Sequence, residues 1–249
     1  VASVEEKERE GLLYSLGDFQ RQIAFYAKVL SDGRTLEHRA DVSFFPVDFN
    51  ELWLMCELHL QAEEGLVRFD HRYPMQSTPI GDGPLRSLRD QPVLSLLDYC
   101  RIMVIFGDGD ATRMLQSVLW EAFSRANLEG LERKRSYSRC YSRARELGTI
   151  FEKLAQGFLI SEQSSAGIRE ILREESLRRS EPLEDVLPPG VVSLHHAAAN
   201  SEVRAEAGMV LSQRTILVFS VFSDGWELGG PPYELVKDLV RQILAWSRI

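Results

Sequence analysis

Gln22-Ile-Ala-Phe-Tyr-Ala-Lys-Val-Leu30, then Ser31-Asp32-Gly33, then Thr35 to Arg39, is the stretch from which the fold is read. Ile23, Phe25, Ala27 and Val29 alternate with Gln22, Ala24, Tyr26 and Lys28, a period of two that predicts a strand. Asp32-Gly33 is a tight-turn signal, and Thr35 to Arg39 is the returning strand. Upstream, Val4 to Leu16 reads as a helix. Glu5, Glu6 and Glu8 load its positive end, Leu12, Leu13 and Leu16 form its apolar stripe, and Gly17 stops it.

Downstream of Pro46 the period changes to that of a helix. Leu52, Trp53, Met55, Cys56 and Leu60 repeat at helical spacing up to Gly65. Tyr73 to Pro84 reads as loop. Val93 to Phe106 reads as a buried helix, and Ala111 to Ala126, Ala144 to Phe158 and Ser164 to Ser176 as further helices. After Leu187-Pro-Pro-Gly190 the strand signals return, at Val191 to Leu194, Gly208 to Leu211 and Thr215 to Phe222. Tyr233 to Trp246 closes the chain as a helix with Leu235, Val236, Leu239, Val240, Ile243 and Leu244 on one face. Hairpin turns and the lack of βαβ alternation predict one antiparallel sheet. The expected architecture is a two-lobed α/β (α+β) fold. Residues 1–46 and 191–249 form a sheet lobe flanked by the terminal helices, and residues 47–190 form an inserted all-helical lobe.

Composition narrows the function. The 249 residues carry a net charge of −8 and are 44% hydrophobic. That balance lacks the positive footprint of a nucleic-acid binder. No apolar run reaches the roughly 18 to 20 residues of a membrane span. Arg133, Lys134, Arg135, Arg139, Arg143 and Arg145 crowd one segment, read as a solvated face or loop. No signal peptide stands at Val1, and that bears on export neither way.

Several strings, in order along the chain, resemble one family. Phe45-Pro46 resembles the head of an F-P-x-x-S-x-x-K helix, and Gln61-Ala-Glu-Glu-Gly-Leu66 its end. Pro79-Ile-Gly-Asp-Gly-Pro-Leu85 resembles a G-S-G-x-L loop. Gly107-Asp-Gly-Asp-Ala-Thr112 resembles S-D-N-x-A-T. Leu187-Pro-Pro-Gly190 through His195-His196, with Val203-Arg204 and Ala207-Gly208-Met209-Val210, resembles P-x-G through A-H-K-T-G and V-R-x-D-x-G-I-V. By these the chain resembles the class A serine β-lactamases and penicillin-binding-protein transpeptidases, and the resemblance implies their fold and an extracytoplasmic setting.

The resemblance also implies a chemistry whose residues are missing. The family's nucleophilic serine and the lysine one turn later fall on Phe49 and Leu52 in the gapless frame, and on Asp48 and Glu51 if it slides by one. The S-D-N element is Gly107-Asp108-Gly109, whose glycines offer no side-chain hydrogen bond. The K-T-G element is His196-Ala197-Ala198. No E-x-x-L-N string occurs between Glu129 and Leu147, where the only acids are Glu129, Glu132 and Glu146, in a loop that looks shortened and basic. The gapless frame also places Cys56 and Cys100 where some members have a disulfide. Cys140 makes the count odd, and buried thiols are the other reading of the pair.

Other chemistry finds little footing. His195 and His196 are adjacent on a predicted strand and point to opposite faces, so they do not chelate one metal. His38, His59 and His71 are scattered. There is no P-loop, no G-x-G-x-x-G and no G-x-S-x-G elbow. No cofactor is expected. The expected function is a catalytically inactive scaffold for an unidentified ligand or protein partner. Two alternatives stand beside it: a hydrolase with a non-family nucleophile, Ser43 and Ser77 being near the expected cleft, and a small-anion or carboxylate binder using His196 and Arg204.

Overall fold

The structure, a computed structural model, describes residues 4–44, 49–75, 80–88, 90–128, 142–178, 183–225 and 230–249. In chain order its elements are α1 (Val4–Leu16), β1 (Ile23–Val29), β2 (Thr35–His38), α2 (Asn50–Glu63), β3 (Arg72–Pro74), β4 (Val93–Ser95), α3 (Leu96–Phe106), α4 (Gly109–Leu128), α5 (Ala144–Ala155), α6 (Glu162–Ser176), β5 (Val192–Ala199), β6 (Val203–Leu211), β7 (Ile216–Asp224) and α7 (Tyr233–Ser247). They form two compact units. One comprises Val1–Asp48, Cys140–Leu159 and Ser176–Ile249, and the other Phe49–Arg139 and Ile160–Glu175.

The first unit is built on a five-stranded sheet of order β2-β1-β7-β6-β5, antiparallel throughout. Ile23, Phe25, Ala27 and Val29 share one face with Leu217, Phe219 and Val221 of β7, and α1 and α7 cover that face in a single apolar core. Val236, Leu239, Val240, Ile243 and Leu244 of α7 recur at the i, i+3, i+4, i+7 spacing that lays one helix face on a sheet. Each such buried aliphatic or aromatic side chain contributes about 1.5 to 3 kcal/mol.

The other face is covered by α5, whose Leu147, Ile150, Phe151 and Leu154 form its buried stripe. Gly148 allows the close approach, since a β-carbon there would lie 2.2 Å from Cδ1 of Tyr26 on β1. Lys28 pairs with Glu152 across the same contact. Arg145 forks onto Glu37 at 2.6 and 2.9 Å and onto Asp41 at 2.9 and 3.0 Å, and its guanidinium lies 5.6 Å from the Tyr26 ring centre. Two of the six residues of the basic segment are described: Arg145 is tied down in this way, whereas Arg143 is exposed and donates to the Ser43 hydroxyl at 2.9 Å. The helix α5 falls within residues 47–190, yet it packs on the sheet, so the helical lobe is not the uninterrupted insertion that the sequence predicts.

Most element types follow the sequence reading, with shifts at the ends and one added strand pair. Strands β5 and β6 run longer than expected because Ala197 to Ala199 pair with Arg204 to Glu206. Small and charged residues carry little strand propensity of their own, and pairing overrides it. Arg72–Pro74 and Val93–Ser95 form a two-stranded ladder, where the sequence reads Tyr73 and Pro74 as loop and Val93–Ser95 as helix. The helix after it starts at Leu96 because Ser95 and Asp98 form a capping box.

In the second unit α2 is buried on most of its circumference, including three polar side chains, Glu57, His59 and Gln61. Gln61 Nε2 donates to Glu57 Oε1 at 2.6 Å and to the Leu119 carbonyl at 3.2 Å. The His59 ring packs against Phe69, 4.8 Å between centres, and neither ring nitrogen has a hydrogen-bond partner. Burial pushes its pKa down to about 4, the nearby Glu63 charge opposing. Cys56 and Cys100 do not form the disulfide that the resemblance implies. Both are free thiols in this structure, and burial pushes each up to about 12.

Two measurements check these assignments. Thiol titration in denaturant without reductant gives three free thiols per chain, where a Cys56–Cys100 bridge would give one. His59 is depressed in the folded chain, so the unfolded chain binds its proton first. Its contribution is fully present above pH 6.5 and is lost as pH falls toward 4, by up to about 3 kcal/mol. Urea unfolding of His59→Gln shows a flatter pH dependence across that window than the parent chain.

Candidate functional site

The head of α2 is where the first motif falls. Phe49 is the residue before the helix and Leu52 lies in its first turn, and both are wholly buried. The Phe49 carbonyl accepts from the Trp53 N–H at 3.1 Å, an ordinary helical bond. Neither side chain carries a nucleophile, a base or a cation. Glu51, from the alternative frame, is half-buried, and its companion Asp48 lies outside the described residues.

The second motif is the junction of α3 and α4. Gly107 ends α3 with φ 64°, the left-handed region that a glycine enters without strain. Asp108 is wholly buried. Its Oδ1 accepts from the backbone N–H groups of Asp110 and Ala111, at 2.9 and 3.0 Å, and so caps α4. Its Oδ2 accepts from the Leu85 N–H at 3.0 Å. A β-carbon on Gly83 would lie 2.0 Å from Oδ2, so only glycine passes there. Asp110 ties the same loop, accepting from Ile80 and Gly81 N–H at 3.2 and 2.9 Å and pairing with Arg113. Burial alone would raise its carboxyl pKa, but those donors hold it below the usual range. The Gly81-Asp-Gly-Pro-Leu85 and Gly107-Asp-Gly109 strings are therefore one assembly. Gly109, the first residue of α4, adds no polar side chain to it.

The third motif lies on β5. Strand pairing sets His195 opposite Gly208 and His196 opposite Ala207. The two histidines point to opposite faces, as expected, and both are completely buried. Ala197 is also buried and Ala198 half-buried. Arg204 is exposed and pairs with Ala199, three residues from His196, so the two side chains leave opposite faces of the sheet. They do not assemble the anion site that was one alternative.

One cluster escaped the sequence reading. The Ser176 hydroxyl lies 3.1 Å from His195 Nδ1 and accepts from the His195 backbone N–H at 3.0 Å. Ser193 Oγ lies 3.3 Å from the same Nδ1, and Glu206 Oε1 lies 3.7 Å from Nε2. Serine, imidazole and carboxylate stand in relay order, but His195 is 0% and Ser176 7% exposed, so no substrate carbonyl reaches the hydroxyl without movement. The i, i+2 pair Ser193 and His195 was visible in the sequence, but Glu206 joins them only through strand register.

Ser43 is exposed and receives a hydrogen bond from Arg143, and among the described residues no imidazole or carboxylate bonds to it. Ser77, Cys140, Glu129, Glu132, Phe45 and Pro46 lie outside the described residues. Glu146 sits in the first turn of α5. Among the described residues, no three His, Cys, Asp or Glu side chains group to hold a metal, and no helix is long and apolar enough to cross a membrane.

A family model described as the beta-lactamase enzyme family matches residues 6–246. The chain belongs to the beta-lactamase enzyme family. Solved structures of the same fold include PBP-A, 20% identical with a TM-score of 0.78 over 98% of this chain and 97% of that one; a point mutant of PBP-A has also been solved as an acyl-enzyme complex with penicillin G. A beta-lactamase from Sphaerobacter thermophilus is 16% identical, TM-score 0.77, over 96% of this chain and 97% of its own. A class A beta-lactamase from Mycobacterium abscessus is 14% identical, TM-score 0.78, over 97% and 100%. Identities this low establish the fold alone. Comparison with curated proteins finds no match.

Within this beta-lactamase-family chain, the motif residue with a definite task is Asp108, and the task is structural. Asp108→Ala removes three charge-assisted backbone bonds and the α4 cap, and lowers the unfolding free energy by about 2 to 4 kcal/mol, read by urea denaturation.

Proposed function

We propose that this chain is a non-catalytic member of the beta-lactamase family that serves as a binding or interaction scaffold. The observation that carries the reading is the head of α2, where the positions matching the serine and the lysine are filled by Phe49 and Leu52, both fully buried. A hydrocarbon can neither attack a carbonyl nor move a proton. The other motif positions agree. Gly107 and Gly109 contribute no hydrogen-bonding side chain, and Ala197 and Ala198 replace the threonine and glycine beside which a substrate carboxylate would sit. His196, at the lysine position, is enclosed in the sheet lobe.

A second reading, hydrolysis by a nucleophile outside the family motifs, has one observation in its favour: Ser176 Oγ at 3.1 Å from the His195 imidazole. The burial of both groups weighs against it.

One experiment separates the readings. The protein is incubated with penicillin G and, in parallel, with a chromogenic cephalosporin, and intact mass and absorbance are followed. The expected result is an unchanged mass and no colour. A covalent adduct or steady hydrolysis overturns the scaffold reading, and peptide mapping of an adduct then identifies the nucleophile, with Ser176 the first residue to inspect.

A further inference from the structure

The helical unit contains a cavity of about 600 Å³, within the range that takes a drug-sized ligand. It is lined by the last turns of α2, the segment after them, α3 and α6, all within one unit. Of the family-like strings only Gln61–Leu66, the end of α2, contributes to it, through Ala62 and Glu63.

Its wall has three parts. Ala62, Val67, Phe69, Leu97 and Ile171 supply an apolar surface. Two guanidinium groups are present, but each is spent on a carboxylate: Arg68 on Asp70 at 2.7 and 3.0 Å, and Arg101 on Glu174 at 2.5 and 2.7 Å. That leaves Glu63 and Glu170. Glu63 accepts from the hydroxyls of Ser161 and Ser164, which hold its carboxyl below the usual range and keep it ionised. Glu170 is exposed and makes no ion pair among the described residues. The wall therefore has an apolar body and two uncompensated negative charges.

The third part is His59, 4% exposed, with both ring nitrogens unpartnered. A neutral imidazole offers one acceptor and one donor. Buried polar groups in folded proteins normally have partners, and His59 has none from the protein, so its ring nitrogens are open to whatever fills the cavity, water or ligand. Gly167 leaves room for the ring, since a β-carbon there would come within 2.8 Å of Cε1.

We infer that this cavity binds a small organic cation: an ammonium head with an apolar, preferably aromatic, body. The body lies on Phe69, Leu97 and Ile171, and the head meets Glu63 and Glu170 with the free imidazole acceptor of His59 beside them. A carboxylate of the same skeleton is repelled by the two glutamates.

A matched pair of probes tests this, 4-phenylbutylamine and 4-phenylbutyrate, by calorimetry and thermal shift at pH 7 with ¹⁵N spectra of the histidine rings. The amine is expected to bind saturably, raise Tm and shift the His59 ring signals, while the carboxylate does none of these. Glu170→Gln, an exposed change whose fold is checked by circular dichroism, weakens the amine about fivefold, the value of one charge contact near 4 Å in water. Glu63→Gln with Glu170→Gln removes the preference for the amine. The inference is overturned by amine binding that is absent, equal for the carboxylate, insensitive to Glu170→Gln, or silent at His59.

Discussion

Two-sided cover of the sheet is the constraint on which the first unit depends. A strand in a sheet with one wet face alternates between core and solvent, whereas a strand packed on both sides must find apolar or satisfied neighbours for every residue. Helices α1 and α7 on one face and α5 on the other place β1, β6 and β7 in that second situation. On the edge strand β5, His195 and His196, adjacent in sequence, are both buried as well. Their imidazoles are interior groups. The serine–imidazole–carboxylate cluster at His195 is likewise an interior group, where the Ser176 hydroxyl accepts the His195 backbone N–H and has no open approach.

The helical unit is organised by a different rule, the need to pair backbone donors at helix ends. Asp108 supplies one carboxylate to three N–H groups from a loop and a helix start, and Asp110 repeats the device on the next stretch of the same loop. Asp108 does this work with a glycine on either side of it. Framework and chemistry thus separate residue by residue within a single three-letter string.

Most of the fold was legible in the sequence because its largest elements have clear periods: α7 with its i, i+3, i+4 stripe, β1 with strict alternation, and the Asp32-Gly33 turn. What was not legible was set by pairing. Ala197 to Ala199 and Arg204 to Glu206 look like no strand in isolation and become one through register. The placement of α5 on the sheet followed from a packing surface on Tyr26 that no local pattern announces. At the candidate site, the letters supplied the strings themselves, Phe49 to Leu52, Gly107-Asp108-Gly109 and His196-Ala197-Ala198. The burial of Phe49, Leu52 and His196, the relay at His195 and the unpartnered His59 required three dimensions, because each depends on neighbours far away in the chain.

The contact between Gly148 and Tyr26 bears on how such a chain can change over time. With a single hydrogen atom as the spacer between helix and ring, no residue but glycine is accommodated at 148 while the tyrosine stands. A smaller residue at 26 would free position 148, and a larger one at 148 would then bar the tyrosine from returning. Substitutions here are ordered and hard to reverse, a ratchet in the sheet lobe. The motif positions at the head of α2, by contrast, need only fill their space with apolar volume, and can drift among hydrocarbons of similar size.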